Sequence, residues 1–169
     1  IQIEIDYAGI NRADILQRKG HYPPPKGESE IIGLECSGKV SKIGRLVKKF
    51  SLGDQVCAIL AGGGYAEFVN VDEKQVMLLP SNLNSLEAGG LPETTLTVYE
   101  NIFNLSNFQK DETILIHGGS SGIGTTAISI LKNYTKNLYV TAGTNQKCKS
   151  CIELGATEAI NYKDLDFEE

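Results

Sequence analysis

The segment His117-Gly118-Gly119-Ser120-Ser121-Gly122-Ile123-Gly124 follows an apolar run and precedes an amphipathic one. Glycine at that density lets a strand turn sharply into a helix and lets two backbones approach closely. It also leaves a helix N-terminus whose free N–H groups and positive dipole end attract a phosphate. Gly119 and Gly124 stand where the first and last glycines of a GxGxxG dinucleotide turn stand, while Ser121, followed by Gly122, occupies the middle position, so the match is imperfect. The alternative for the same residues is a glycine turn that serves only strand-helix packing.

Further along, an Asp or Glu about 20 residues past such glycines grips the ribose 2′-hydroxyl of NAD. Here that stretch reads TAGTNQK, and no acid occurs between Lys136 and Lys149. Thr144 and Lys147 stand where a 2′-phosphate would sit; a carboxylate would repel that phosphate and a lysine pairs with it. The residues therefore favour NADPH over NADH, the alternative being that Lys147 is a solvated lysine at a helix start. Cys148-Lys149-Ser150-Cys151 is a CxxC inside the following helix. A redox or metal role needs an activated thiolate or further ligands, and the histidines are only His21 and His117.

These residues need elements to hold them. Residues 138–142 read as a strand, 146–154 as a helix ended by Gly155, and 158–161 as a further strand. With a strand over 113–117 and a helix over 122–134, whose apolar face is Ile123, Ala127, Ile130, Leu131 and Tyr134, the order is βαβαβ around a parallel sheet. Pro92 opens a longer helix through Leu105. Upstream the character differs. Ile1, Ile3 and Ile5 alternate with polar residues, and short strands follow around Ile31 and over 40–43, 56–60, 65–71 and 75–79. Glycines stand at the corners, and a Pro-rich loop, YPPPKG, spans residues 22–27. The basic run Lys42 to Lys49 reads as a solvated strand face. Residues 1 to about 80 thus suggest a partly open β-barrel, and the division predicts two domains, 1–93 and 94–169.

Composition bounds the partners. The chain has 169 residues, 16 Lys plus Arg against 21 Asp plus Glu, and a formal charge of -5. No basic field invites a nucleic acid, and no apolar run approaches the roughly 18 residues of a membrane span. Four cysteines without a leading signal pattern read as reduced thiols, which fits the cytoplasm. The first residue lies inside a strand pattern, and the closing DLDFEE follows a βα pattern that has not closed. We expect a fragment open at both ends.

In chain order the motifs are NRAD, GLECSG, GD-V, GGGYAEFV, PETTLTVYE and LIHGGSSGIGT, and residues 11–27 read NRADILQRKGHYPPPKG. This series closely resembles the zinc-free, zeta-crystallin-like quinone oxidoreductases of the medium-chain dehydrogenase/reductase superfamily, nearest the stress-inducible NADPH quinone oxidoreductase subgroup. The resemblance covers the whole chain. It implies a GroES-like, partly open β-barrel catalytic domain, N-terminally truncated, followed by a C-terminally truncated Rossmann-type doubly wound parallel sheet. In zinc-bearing members a Cys and a His hold the catalytic metal where Asn11 and Leu34 stand here, and neither can replace them. The companion acids Asp14 and Glu35 remain. The structural zinc lobe is missing, so the resemblance implies no metal.

Carried over by position, the resemblance puts Thr97 near the nicotinamide and Gly119, Ser121, Gly122, Ile123 and Gly124 at the pyrophosphate. Gly143, Thr144, Lys147 and Tyr162 fall around the adenosine phosphate, and Tyr22 falls in the substrate cleft with Asn11 and Ser121. Plainer roles exist for some of these: Tyr162 covering the start of a strand, Tyr22 packing on its prolines, Asn11 capping a helix. The implied activity is metal-free hydride transfer from NADPH to a quinone, whose developing oxyanion accepts hydrogen bonds from Asn11, Tyr22 or backbone N–H groups. A reductase of enones or enoyl thioesters uses the same cleft, so the small-molecule partner is a quinone or a conjugated carbonyl. A non-enzymatic crystallin-like or RNA-binding role is the rival of another class, and the acidic charge opposes RNA. The resemblance implies a homodimer at full length. With only part of the doubly wound sheet, these residues alone are expected to be inactive and poorly folded.

Overall fold

The structure, a computed structural model, describes residues 1–165; residues 166–169, the end of DLDFEE, lie outside the described residues. The chain forms two compact units, Ile1–Glu93 and Thr94–Glu169.

The first unit is built on an antiparallel sheet of β1 (Gln2–Tyr7), β2 (Glu35–Lys42), β3 (Gln55–Ile59), β4 (Phe68–Asn70) and β5 (Val76–Leu78), in the order β4-β1-β2-β3-β5. The alternation in β1 works as its sequence implies. Ile3 is fully buried opposite Val40 and Val69, and it joins Cys36, Val56 and Phe50 in the core. Helix α1 (Arg12–Arg18) starts after Asn11, and Gly20 just beyond its end has φ +76°, a value that suits glycine. Helix α2 (Ser85–Ala88) is capped by Asn84, whose side chain accepts from the Glu87 N–H at 2.9 Å.

Several strand boundaries differ from expectation. Residues around Ile31 form an exposed bend rather than a strand, because their backbone groups serve a local turn: Ile31 N–H donates to Ser29 Oγ and Ile31 O accepts from Gly63. The strand expected over 65–71 shrinks to β4 as Tyr65 leaves the sheet to bond Asp14. The strand expected over 75–79 loses its start to a 3₁₀ turn, Glu73–Gln75, capped by Asp72. β2 begins five residues earlier than expected, at Glu35, and contains only Lys42 of the basic run; the rest is loop, not strand face.

The second unit holds a parallel sheet of β6 (Ile114–Ile116), β7 (Leu138–Ala142) and β8 (Glu158–Asn161), in sequential order. Helices α4 (Gly122–Leu131) and α5 (Asn145–Leu154) make the crossovers. α4 stops three residues short of the expected end, and its buried stripe is Gly124, Ala127, Ile128 and Leu131. That stripe keeps the i, i+3, i+4, i+7 spacing of an amphipathic helix but leaves Ile123 and Tyr134, expected inside, at 47% and 43% exposure.

The helix that opens at Pro92 also departs from expectation. It is α-helical only as α3 (Pro92–Val98) and continues as a π-helix, Tyr99–Leu105. The wider turn is visible in Ser106 N–H, which donates to Asn101 O, and Asn101 Nδ2 donates to Thr97 O at 2.8 Å. Among the described residues no helix is long and apolar enough to cross a membrane.

Ile128 is fully buried between α4 and the sheet. Ile128→Ala is expected to cost about 2–5 kcal/mol of stability, through lost transfer energy and the cavity left behind. Urea denaturation of the full-length protein measures it.

Candidate functional site

The glycine turn in the second unit is set by two close approaches. A Cβ on Gly119 would lie 2.6 Å from Val140 Cβ on β7, and one on Gly124 would lie 2.6 Å from Gly119 Cα. Both positions therefore exclude any side chain, and Gly118 between strand and helix has φ +72°. Thr141 on β7 ties the turn down. Its carbonyl accepts from Gly119 N–H at 2.9 Å, and its hydroxyl lies 3.2 Å from His117 Nδ1.

Ser121 is the N-cap of α4 and accepts from Gly124 N–H at 3.0 Å through its hydroxyl. The N–H groups of Gly122 and Ile123 belong to the first turn of α4, among the donors that a helix leaves without intrahelical partners. The arrangement fits a phosphate: a glycine floor that admits no Cβ, and first-turn amides at the positive end of a ten-residue helix. Thr97 on α3, half buried, lines a largely apolar groove of about 620 Å³ with Asn101, Ile102, His117 and Ile123.

Past β7 the structure brings four of the sequence-chosen residues together. Tyr162, after β8, lies over Gly143, its hydroxyl 2.7 Å from where a Cβ would stand. Tyr162 is half exposed. Thr144 caps α5 by accepting from Lys147 N–H at 3.2 Å, and Lys147 is exposed. Asp164 is engaged by Asn161 Nδ2 at 2.6 Å. The CxxC pair lies inside α5 with both thiols buried, and burial raises the pKa of Cys151. That is the reverse of an activated thiolate.

In the first unit Asn11 is more than a helix cap. Its side-chain Nδ2 donates to Glu35 Oε1 at 2.7 Å, and its backbone N–H donates to Asp14 Oδ2 at 2.7 Å. Glu35 and Asp14 are 1% and 2% exposed. Glu35 Oε2 accepts from Glu93 N–H at 2.9 Å, and Asp14 Oδ2 also accepts from Tyr65 Oη at 3.0 Å. Gly9 completes the enclosure, since a Cβ there would stand 2.6 Å from Glu35 Cδ. Tyr22 is half exposed in the Pro-rich loop.

Sequence reasoning noted Asp14 and Glu35 only as companions of a lost metal and missed Tyr65 and Gly9. The available signal was an acid inside each of two otherwise apolar segments, ADIL and GLEC. Leu34 is buried and offers no ligand atom, and an amide nitrogen committed to Glu35 has no lone pair for a metal.

Burial pushes the Tyr65 phenol up to about 12, helped by its bond to Asp14. Burial first, then the charges of Glu35 and Asp14, raises the carboxyl pKa of Glu93. A carboxyl pKa higher in the folded than in the unfolded chain means that folding holds its proton, so stability falls as pH rises through its titration. Glu93→Gln is therefore expected to raise the urea midpoint at pH 7 and to leave it nearly unchanged below the ordinary carboxylate range.

Residues 1–81 match the alcohol dehydrogenase GroES-like domain family. The chain is 35% identical to quinone oxidoreductase 1 of Escherichia coli, over all of this chain and 52% of that protein. It is 31% identical to a reducing polyketide synthase of Gibberella fujikuroi, over 99% of this chain and 7% of the synthase. The crystal structure of the Escherichia coli quinone oxidoreductase complexed with NADPH superimposes with a TM-score of 0.85 at 34% identity, covering 98% of this chain and 51% of that one. CurK enoyl reductase gives a TM-score of 0.85 at 28% identity, covering 95% and 51%. The chain thus spans about half the length of the quinone oxidoreductase and of CurK enoyl reductase, and its two units correspond to a GroES-like domain and a parallel α/β unit. Residues 1–81 are an alcohol dehydrogenase GroES-like domain of the medium-chain dehydrogenase/reductase superfamily.

Proposed function

We propose that the full-length protein is a zinc-free, NADPH-dependent reductase whose acceptor is a quinone, in the zeta-crystallin-like group. The observation that carries the reading is the β6–α4 turn, where Gly119 and Gly124 exclude side chains below the free amides of α4. An Escherichia coli relative complexed with NADPH supports the cofactor.

Gly122 and Ile123 would hold the pyrophosphate through their N–H groups, with Ser121 fixing the turn. Lys147 and Tyr162 would meet the 2′-phosphate, beside Gly143 and Thr144. Thr97 would flank the nicotinamide. The cofactor, when bound, supplies a hydride. The chain's own part is to orient the acceptor and to donate to the oxygen on which charge develops, with Asn11 and Tyr22 as donors. Leu34 and the committed Asn11 amide offer no zinc site, so the charge falls to hydrogen-bond donors.

Reduction of an enone or enoyl thioester is the second reading, favoured by the likeness to CurK enoyl reductase and to the polyketide synthase. Turnover of a small ortho-quinone and of an enone, each with NADPH and NADH and with a chelator, separates the readings. We expect chelator-insensitive quinone turnover preferring NADPH. Turnover of the enone alone would move the assignment to the second reading. Lys147→Ala is expected to raise the KM for NADPH about tenfold, the scale of one charge-assisted hydrogen bond, and to leave NADH unaffected. Tyr22→Phe is expected to lower kcat/KM for the quinone; full retention removes Tyr22 from the acceptor's donors.

A further inference from the structure

We infer that Glu35 is a positioning residue that fixes the orientation of the Asn11 side-chain amide for the acceptor; this rests on the reductase reading above. An asparagine amide has two orientations of nearly the same shape, which exchange a donor for an acceptor. At Asn11 the choice is made by its neighbour. Both Glu35 oxygens accept from N–H groups, Oε1 from Asn11 Nδ2 at 2.7 Å and Oε2 from Glu93 N–H at 2.9 Å.

The carboxyl itself has little freedom. Glu35 is 1% exposed at the start of β2, and Gly9 leaves no room for a Cβ against its Cδ. The backbone of Asn11 is tied as well, its N–H donating to the buried Asp14 carboxyl at 2.7 Å. Asn11 is thus gripped at both amides by two buried acids while the residue is itself half exposed. One hydrogen of Nδ2 is spent on Glu35, and the second is left for an acceptor oxygen. A free amide rotates and is solvated, so its ordering cost falls on the reaction; a locked one is preorganised.

The same geometry says what Glu35→Gln does. The glutamine keeps the volume but must turn its NH₂ toward Asn11 Nδ2 or toward Glu93 N–H. Facing Glu93 it sets donor against donor outright, and facing Asn11 it does so unless the Asn11 amide flips and turns its oxygen to the glutamine.

Two measurements on the full-length protein test this. In cofactor-free protein, the ¹⁵N-resolved side-chain amide of Asn11 should show one downfield, slowly exchanging proton that is lost in Glu35→Gln. In turnover, Glu35→Gln should lower kcat/KM for the quinone about tenfold and leave the KM for NADPH within about twofold. In an Asn11→Ala background the same change should cost less than about twofold, because the two residues act as one unit.

An unchanged Asn11 signal in Glu35→Gln, or losses that multiply in the double variant, would overturn the proposal. So would an Asn11→Ala variant with full quinone turnover. A wild-type protein that turns over neither quinone nor enone removes the reductase reading instead, and the amide signal still decides whether Glu35 holds Asn11. If Glu35→Gln does not fold, Glu35→Asp keeps the acceptor chemistry but shortens the reach, and the same loss of the Asn11 signal is expected.

Discussion

A carboxyl taken out of water demands hydrogen-bond donors, and Glu35 imposes that demand on the first unit. Its two oxygens recruit Asn11 from the start of α1 and the backbone of Glu93 from the start of α3. It also dictates a glycine at position 9. Asp14, one helical turn past Asn11, is served on one oxygen only: Oδ2 accepts from Asn11 N–H and from Tyr65 Oη, while Oδ1 is buried without a partner. An unpaired buried charge costs several kcal/mol, so these partners are linked. Any of them can be lost only at the expense of the others. The loop from Gly62 to Tyr65 and the entry to α1 thus meet at polar groups rather than at an apolar core.

In the second unit the governing constraint is steric. β6 and α4 are joined so tightly that Gly119 abuts Val140 and Gly124 abuts Gly119. So tight a turn puts the N-terminus of α4 at the carboxyl end of β6, where doubly wound folds take phosphates. The sheet rests on Val140, Leu138, Ile128 and Leu131, all fully buried. The chemistry of the turn therefore depends on apolar packing directly beneath it, and the polar residues past β7 are carried by the same strand that supports Gly119.

Much of this was legible in the residues. The βαβαβ order, the limits of β7 and β8, Gly155 as the end of α5 and the Gly119–Gly124 turn follow from periodicity and glycine placement, which are local properties. The grouping of Gly143, Thr144, Lys147 and Tyr162 was indicated by the motif resemblance. The failures are equally specific. The buried stripe of α4 shares Ala127 and Leu131 with the one chosen but takes Gly124 and Ile128 with them, since Ile123 and Ala127 satisfy the helical period as well as Gly124 and Ala127 do. Only contact with the sheet selects between them. The π-helix after Val98 leaves no mark in composition, because the Asn101 side chain that bonds the Thr97 carbonyl is equally at home on an α-helix.

The sequence by itself determined the order of strands and crossover helices from β6 to β8 and the presence of a tight glycine turn, because glycine spacing and apolar period act over a few residues. Tertiary structure alone decided what the Asn11 side chain bonds. Its partner Glu35 is 24 residues away, and Tyr65 stands 51 residues from Asp14. A hydrogen bond between residues so far apart depends on how β2 and the loop after β3 fold back on α1, and that path is set by the packing of the whole unit rather than by any local pattern.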